Sequence, residues 1–230
     1  MSELTENLER VREELVQAVH KAGRKQEEVT LVAVSKLHSA ASIRELSNFG
    51  QQVFGESYAQ EFRDKVQDLA DCDVRWHFIG GLQSNKAKYV SGKCELVHSV
   101  DTLKLAEALN KKAANLDCVQ DILIQVNISG EVQKSGVAPD VLDTVFDEVM
   151  ALENVRIQGL MTMPPFFDEP ERARPVFAKL KELQGELRGR FGLELPQLSM
   201  GMSGDYLQAI EEGATLVRVG TSIFGRRPVK

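Results

Sequence analysis

Apolar positions along this chain alternate between two patterns, recurrences of three and four and short unbroken runs. Leu4, Leu8, Val11, Leu15 and Val19 follow the first, with charges between them, and predict an amphipathic helix over residues 3–22 that closes near Gly23. Val29-Thr30-Leu31-Val32-Ala33-Val34-Ser35-Lys36 follows the second. Its lack of polar alternation is that of a parallel strand covered on both faces, and it ends in a cation.

The same alternation continues to the end of the chain. Further strands are predicted at 52–56, 74–80, 96–100, 121–127, 155–163, 197–200 and 216–220. Helical stripes lie between them, among them Ile43 and Leu46 behind a Ser39 or Ser42 cap, Phe62, Val66 and Leu69, and Leu103, Ala106, Leu109 and Ala113 behind an Asp101 cap. Pro139 marks the start of another helix, and residues 170–190 and 205–212 are helical as well. Eight strands separated by helices fit a single (β/α)8 barrel of the TIM type over residues 1–230, and fit an open doubly wound sheet less well. No helix of any length is predicted after the last strand, so the helix over 3–22 is the candidate to pack on the barrel in its place. The loop Pro164-Pro165-Phe166-Phe167-Asp168 is either a lid over a pocket or a plain connection.

Composition narrows the chemistry. Among 230 residues, 27% are charged and the formal net charge is −6, which excludes a nucleic-acid binder built on a broad basic surface and leaves room only for a local anion pocket. Cys72, Cys94 and Cys118 are odd in number and have no Cys-x-x-Cys pair, and His20, His38, His77 and His98 have no ligand spacing, so no disulfide framework and no metal are expected. No apolar run reaches the roughly 18 residues of a membrane span, and the N-terminus has no leader pattern, so a cytoplasmic location is expected.

In a barrel of this order Lys36 ends the first strand. Ser199-Met200-Gly201-Met202-Ser203-Gly204 and Arg218-Val219-Gly220-Thr221 end the seventh and eighth. Closure puts all three on one rim, where barrels of this kind hold phosphate. Gly201 and Gly204 let backbone N–H groups turn toward an anion, and Ser203 can cap the helix that starts near Asp205. Arg218 is a guanidinium on a strand, costly to bury without an acceptor. Each segment alone also reads as an ordinary turn, and Lys36 alone as a strand-end lysine in water. Together they favour a phosphorylated, electron-rich ligand, and a lysine at such a mouth forms a Schiff base when its amine is neutral. Pyridoxal 5′-phosphate (PLP) fits that description, and a sugar-phosphate aldolase substrate fits it less closely.

A series of motifs runs through nearly the whole chain: Ala33-Val34-Ser35-Lys36, Phe54-Gly55-Glu56 with Tyr58 and Gln60-Glu61, His77-Phe78-Ile79-Gly80 with Leu82-Gln83-Ser84-Asn85-Lys86, Gln125-Val126-Asn127 with Glu131, Lys134 and Gly136, Gly159-Leu160-Met161, Leu198 to Ser203, and Val217 to Thr221. In this order they resemble the YggS/PROSC family of pyridoxal phosphate homeostasis proteins. The resemblance implies a fold-type III barrel like the N-terminal domain of alanine racemase. Lys36 is then the Schiff-base lysine, Ser199, Met200, Gly201, Ser203, Gly220 and Thr221 surround the phosphate, and Arg218 faces the pyridine nitrogen. The family commonly has asparagine where this chain has Ser57, and a side chain, often proline, where it has Gly81.

The resemblance further implies a monomer that stores or delivers PLP, with PLP-dependent apoenzymes as partners and no robust catalytic cycle. The alternative is a PLP-dependent amino-acid racemase or decarboxylase. As the family resemblance implies, those enzymes add a second, β-rich domain with a catalytic tyrosine or cysteine, whereas only Arg226 to Lys230 follow Gly225 here. A phosphosugar aldolase or isomerase would retain no chromophore.

Overall fold

A computed structural model describes residues 2–131 and 133–225. Arg226 to Lys230, on which the expectation of no second domain rested, lie outside the described residues. The strands are β1 (Thr30–Val34), β2 (Val53–Glu56), β3 (Arg75–Phe78), β4 (Leu96–Val100), β5 (Gln120–Gln125), β6 (Val155–Met161), β7 (Gln197–Met202) and β8 (Leu216–Val219). All pair in parallel and in sequence order, and the ring closes between β8 and β1, with Leu31 opposite Val217 and Val32 opposite Arg218. That pairing makes the fold a (β/α)8 barrel and excludes the open sheet.

The helices are α1 (Glu3–Lys21), α2 (Ala40–Asn48), α3 (Ala59–Asp68), α4 (Ala87–Val90), α5 (Leu103–Ala114), α6 (Leu142–Met150), α7 (Arg174–Phe191), α8 (Tyr206–Glu211) and α9 (Thr221–Phe224). Among the described residues only the single turn α9 follows β8, and α1 packs against α8, α9 and α2 to fill the outer position. Asn7 Nδ2 donates to the Ile223 carbonyl (3.2 Å), an Arg12 guanidinium N–H donates to the Phe49 carbonyl (3.2 Å), and the Tyr206 hydroxyl bonds Glu14. The side chain of Ser39 caps α2 by accepting from Ser42 N–H. At α5 the cap is Thr102 rather than the expected Asp101, because Thr102 is the last extended residue and its hydroxyl accepts from Leu105 N–H.

The core is divided in two. Val32, Val53, Leu96, Leu123, Met161 and Leu216, one from each of six strands, form a small cluster that fills the lower interior of the barrel. The larger cluster lies between the strands and the helices, with Leu8, Ile43, Phe62, Phe78, Phe146 and Phe177 fully buried in it. Every strand is thus covered on both faces, which is why the strands read as apolar runs. Gly159 sits at a bulge in β6, where Ile122 pairs with Ile157 but Leu123 pairs with Gly159. Its φ is +153°, and a Cβ there would lie 1.8 Å from the Gln197 carbonyl oxygen, so only glycine lets β6 and β7 meet. No helix among the described residues is long and apolar enough to cross a membrane.

Candidate functional site

Lys36 lies two residues beyond the end of β1, in a tight turn that the Ser35 carbonyl closes by accepting from His38 N–H (3.0 Å). Leu37, the third residue of the turn, has a φ of +66°. The turn is anchored from α3 and β2. Leu37 N–H donates to Glu61 Oε1 (2.6 Å), and Lys65 Nζ donates to the Ser35 carbonyl (2.8 Å), to Glu61 Oε1 (2.7 Å) and to Glu56 Oε1 (2.6 Å). The Ser35 hydroxyl donates to the same Glu56 oxygen at 2.7 Å. Glu56 is fully buried, and burial pushes its carboxyl above the usual carboxylate range, with Lys65 opposing.

Above the carboxyl ends of the strands opens a cavity of about 610 Å³. Lys36, Asn127, Ser203, Arg218, Gly220 and Thr221 line it, and the Pro164 to Phe167 loop forms one wall. The Pro- and aromatic-rich segment therefore borders a pocket, with Phe166 at 89% exposure. Among the described lining residues the cations Lys36, Lys134 and Arg218 face a single carboxylate, Asp205, although the chain as a whole carries a net charge of −6. Lys134 is ion-paired with Glu131 at 3.1 Å. A local excess of positive charge in a partly enclosed site attracts an anion more strongly than the same charges would in open water.

Arg218 comes up from inside the barrel. It is 4% exposed and forms no ion pair among the described residues. Its guanidinium donates to Ser199 Oγ and, at 3.0 Å, to the Thr162 carbonyl. Burial pulls its pKa down to about 10, with the Asp205 carboxylate opposing, so it stays charged at neutral pH. Ser199 Oγ lies 2.8 Å from His98 Nδ1, and His98 Nε2 lies 2.9 Å from His77 Nδ1. Burial holds His77 at about 4 and His98 well below the imidazole range, so both rings are neutral. A consistent chain then has Arg218 donating to Ser199, Ser199 to His98 and His98 to His77, with each neutral ring protonated on Nε2.

The expected site residues divide accordingly. Lys36, Ser203, Arg218, Gly220 and Thr221 meet at the cavity. Ser199 lies below it as the acceptor for Arg218, while Met200, fully buried, turns outward into the core between strands and helices. Gly201 has a φ of +88°, and a Cβ there would lie 2.6 Å from Ala209 Cβ, so it serves the approach of α8 rather than the cavity. A register shift between Ser199 and Met202 sets these orientations, and no residue pattern announces it. Ser203 does not cap α8 as expected; its hydroxyl accepts from Gly220 N–H (3.1 Å) and ties the two rim segments together. Asp205 takes the neighbouring role by accepting from Met202 N–H. Glu56, Glu61 and His77 stand in the motifs that carry the family resemblance but with no role attached, and Lys65 and His98 have no sequence signal beyond being polar residues in buried positions.

Comparison with known proteins adds to this geometry. The family profile described as alanine racemase, N-terminal domain, matches residues 4–228. A pyridoxal phosphate homeostasis protein of Aquifex aeolicus is 48% identical over 222 residues, covering 96% of this chain and 97% of its own. PipY of Synechococcus elongatus PCC7942, solved with PLP bound, superposes with a TM-score of 0.85 at 36% identity, covering 96% of this chain and 100% of its own. An alanine racemase of Clostridium difficile shares the fold at a TM-score of 0.77 and 16% identity, and the match covers 58% of that longer chain.

Proposed function

This chain belongs to the alanine racemase N-terminal domain family and, within it, to the pyridoxal phosphate homeostasis proteins, and on that premise we propose that it binds PLP at the barrel mouth to store and deliver it. The observation that carries the reading is the meeting of Lys36, Arg218, Ser203 and Thr221 on one cavity with an excess of positive charge. PLP supplies an aldehyde that an amine can capture and a phosphate that needs donors. Lys36 Nζ, when neutral, adds to the aldehyde carbon; a C=N bond forms, and the carbonyl oxygen leaves as water with the two amine protons. Ser203, Gly204, Gly220 and Thr221 receive the phosphate, with Ser203 bracing Gly220. Met200 and Gly201 contribute by shaping β7, and Ser199 by holding Arg218.

Arg218 explains the preference for storage over turnover. A guanidinium only donates, so against the pyridine nitrogen it would leave that nitrogen unprotonated and weaken the cofactor as an electron sink. The neutral His98 and Ser199 behind it provide no acid to change that. We propose further that the protein is a cytoplasmic monomer whose partners are PLP-dependent apoenzymes.

The test is reduction of the PLP-loaded protein with borohydride followed by peptide mass mapping. Label on Lys36 is expected. Label on another lysine, with Lys36 unmodified, would overturn the assignment.

A further inference from the structure

Leu37 is one of three described residues other than glycine with a positive φ. The left-handed conformation crowds the Cβ of any residue but glycine against the backbone, and it persists only where its surroundings impose it. Here the imposing groups are identifiable. Ser35, on one side of Lys36, has its carbonyl held by Lys65 Nζ, and Leu37, on the other side, has its N–H held by Glu61 Oε1. Lys65 and Glu61 are paired at 2.7 Å, one helical turn apart on α3. The peptide groups on both sides of Lys36 are therefore tied to one rigid pair.

We infer that Glu61 and Lys65 are positioning residues for Lys36, a two-point clamp that holds the strained turn so that the Lys36 amine meets an incoming aldehyde in one orientation. The inference rests on the reading of Lys36 as the capturing lysine. Stability alone does not account for the arrangement. An ion pair drawn largely out of water often does no better than apolar residues of the same volume, and this one, with Lys65 buried and Glu61 half-buried, maintains a conformation that costs energy. Lys65, with a side chain 8% exposed, directs its ammonium at a carbonyl next to Lys36 as well as at Glu56 and Glu61. Holding the reacting groups in register is where such an expense is returned, since a displacement of about 1 Å slows a reaction by up to about a hundredfold.

The experiment uses the full chain freed of PLP and two ligands. PLP reports covalent capture by its absorbance change, and pyridoxine 5′-phosphate, which has an alcohol in place of the aldehyde, reports binding without capture. Glu61→Ala is expected to slow capture by about 10- to 100-fold with unchanged affinity for the alcohol. Glu61→Gln, whose amide oxygen still accepts from Leu37 N–H, is expected to restore most of the rate. Leu37→Gly, which adopts the same φ without strain and so keeps the fold, is expected to slow capture by loosening the turn. Capture at the unmodified rate in both Glu61→Ala and Leu37→Gly would overturn the clamp, as would a parallel loss of affinity for the alcohol. If Glu61→Ala does not fold, the decision rests on Leu37→Gly in the same two measurements. Borohydride mapping of the unmodified protein separates the two claims, because label away from Lys36 refutes the capturing lysine, whereas label on Lys36 with unchanged rates refutes only the clamp.

Discussion

His77 and His98 are buried inside the barrel with Arg218 at the far end of their hydrogen-bond chain, so a proton on either ring would sit in a poorly solvated space, and one on His98 would also face the Arg218 cation. His77 is held at about 4 against 6.5 for an ordinary imidazole, with burial the main cause. The unfolded chain therefore takes up a proton near pH 6.5 that the folded protein refuses until about pH 4. The contribution is fully present above the unfolded value and is lost as pH falls through that window, by about 3 kcal/mol for His77 alone. Glu56 works in the other direction, because burial raises its carboxyl and its contribution grows as pH falls. The difference between variants is thus the proper readout. In denaturant titrations the unmodified protein should lose more stability between about pH 7 and pH 5 than His77→Asn does, and superimposable pH profiles would show that the imidazolium is tolerated.

At the scale of elements, the barrel closes through irregularities in the strands. The bulge at Gly159 lets β6 change its pairing with β5 part-way along, and the shift in β7 beyond Ser199 brings Ser203 to the rim. Gly159→Ala would force a methyl group against the Gln197 backbone in a conformation that only glycine adopts readily. The clash falls at Gln197, two residues before Ser199, whose hydroxyl accepts from Arg218. The variant is expected to lose more than about 2 kcal/mol in chemical denaturation and to bind PLP more weakly. A loss under about 0.5 kcal/mol, the range of ordinary surface substitutions, would mean that the bulge relaxes freely.

For the whole molecule, ligand binding and folding are one equilibrium. A ligand held only by the folded protein stabilises it by about 2.7 kcal/mol when present at a hundred times its dissociation constant. PLP added to the cofactor-free chain should raise its thermal midpoint accordingly. Ser203→Ala combined with Thr221→Ala removes two hydrogen bonds to a charged acceptor, worth about 1.5–3 kcal/mol each, so affinity should drop by at least about a hundredfold if the effects add. At the same PLP concentration the double variant then gains only about 0.4 kcal/mol or less. An undiminished shift in calorimetry would move the phosphate away from these residues.

The sequence by itself determined the elements and the chemistry at their ends. Parallel strands buried on both faces are mostly apolar, so Leu31 to Val34 and Ile122 to Ile124 stand out as runs, and a lysine or arginine that interrupts or ends such a run, as Arg218 and Lys36 do, is conspicuous. What remained for the tertiary structure was closure and direction. Counting strands does not pair β8 with β1, and only that pairing brings Lys36 and Arg218 to one cavity. Side chains alternate along a strand and reverse at a bulge, so whether Ser199 or Met200 faces inward depends on register rather than on residue type. The grip of Lys65 on the Ser35 carbonyl and the contact of His98 with Ser199 join positions 30 and 101 residues apart. Such contacts depend on where the folded backbone places two distant side chains, and no local spacing encodes that.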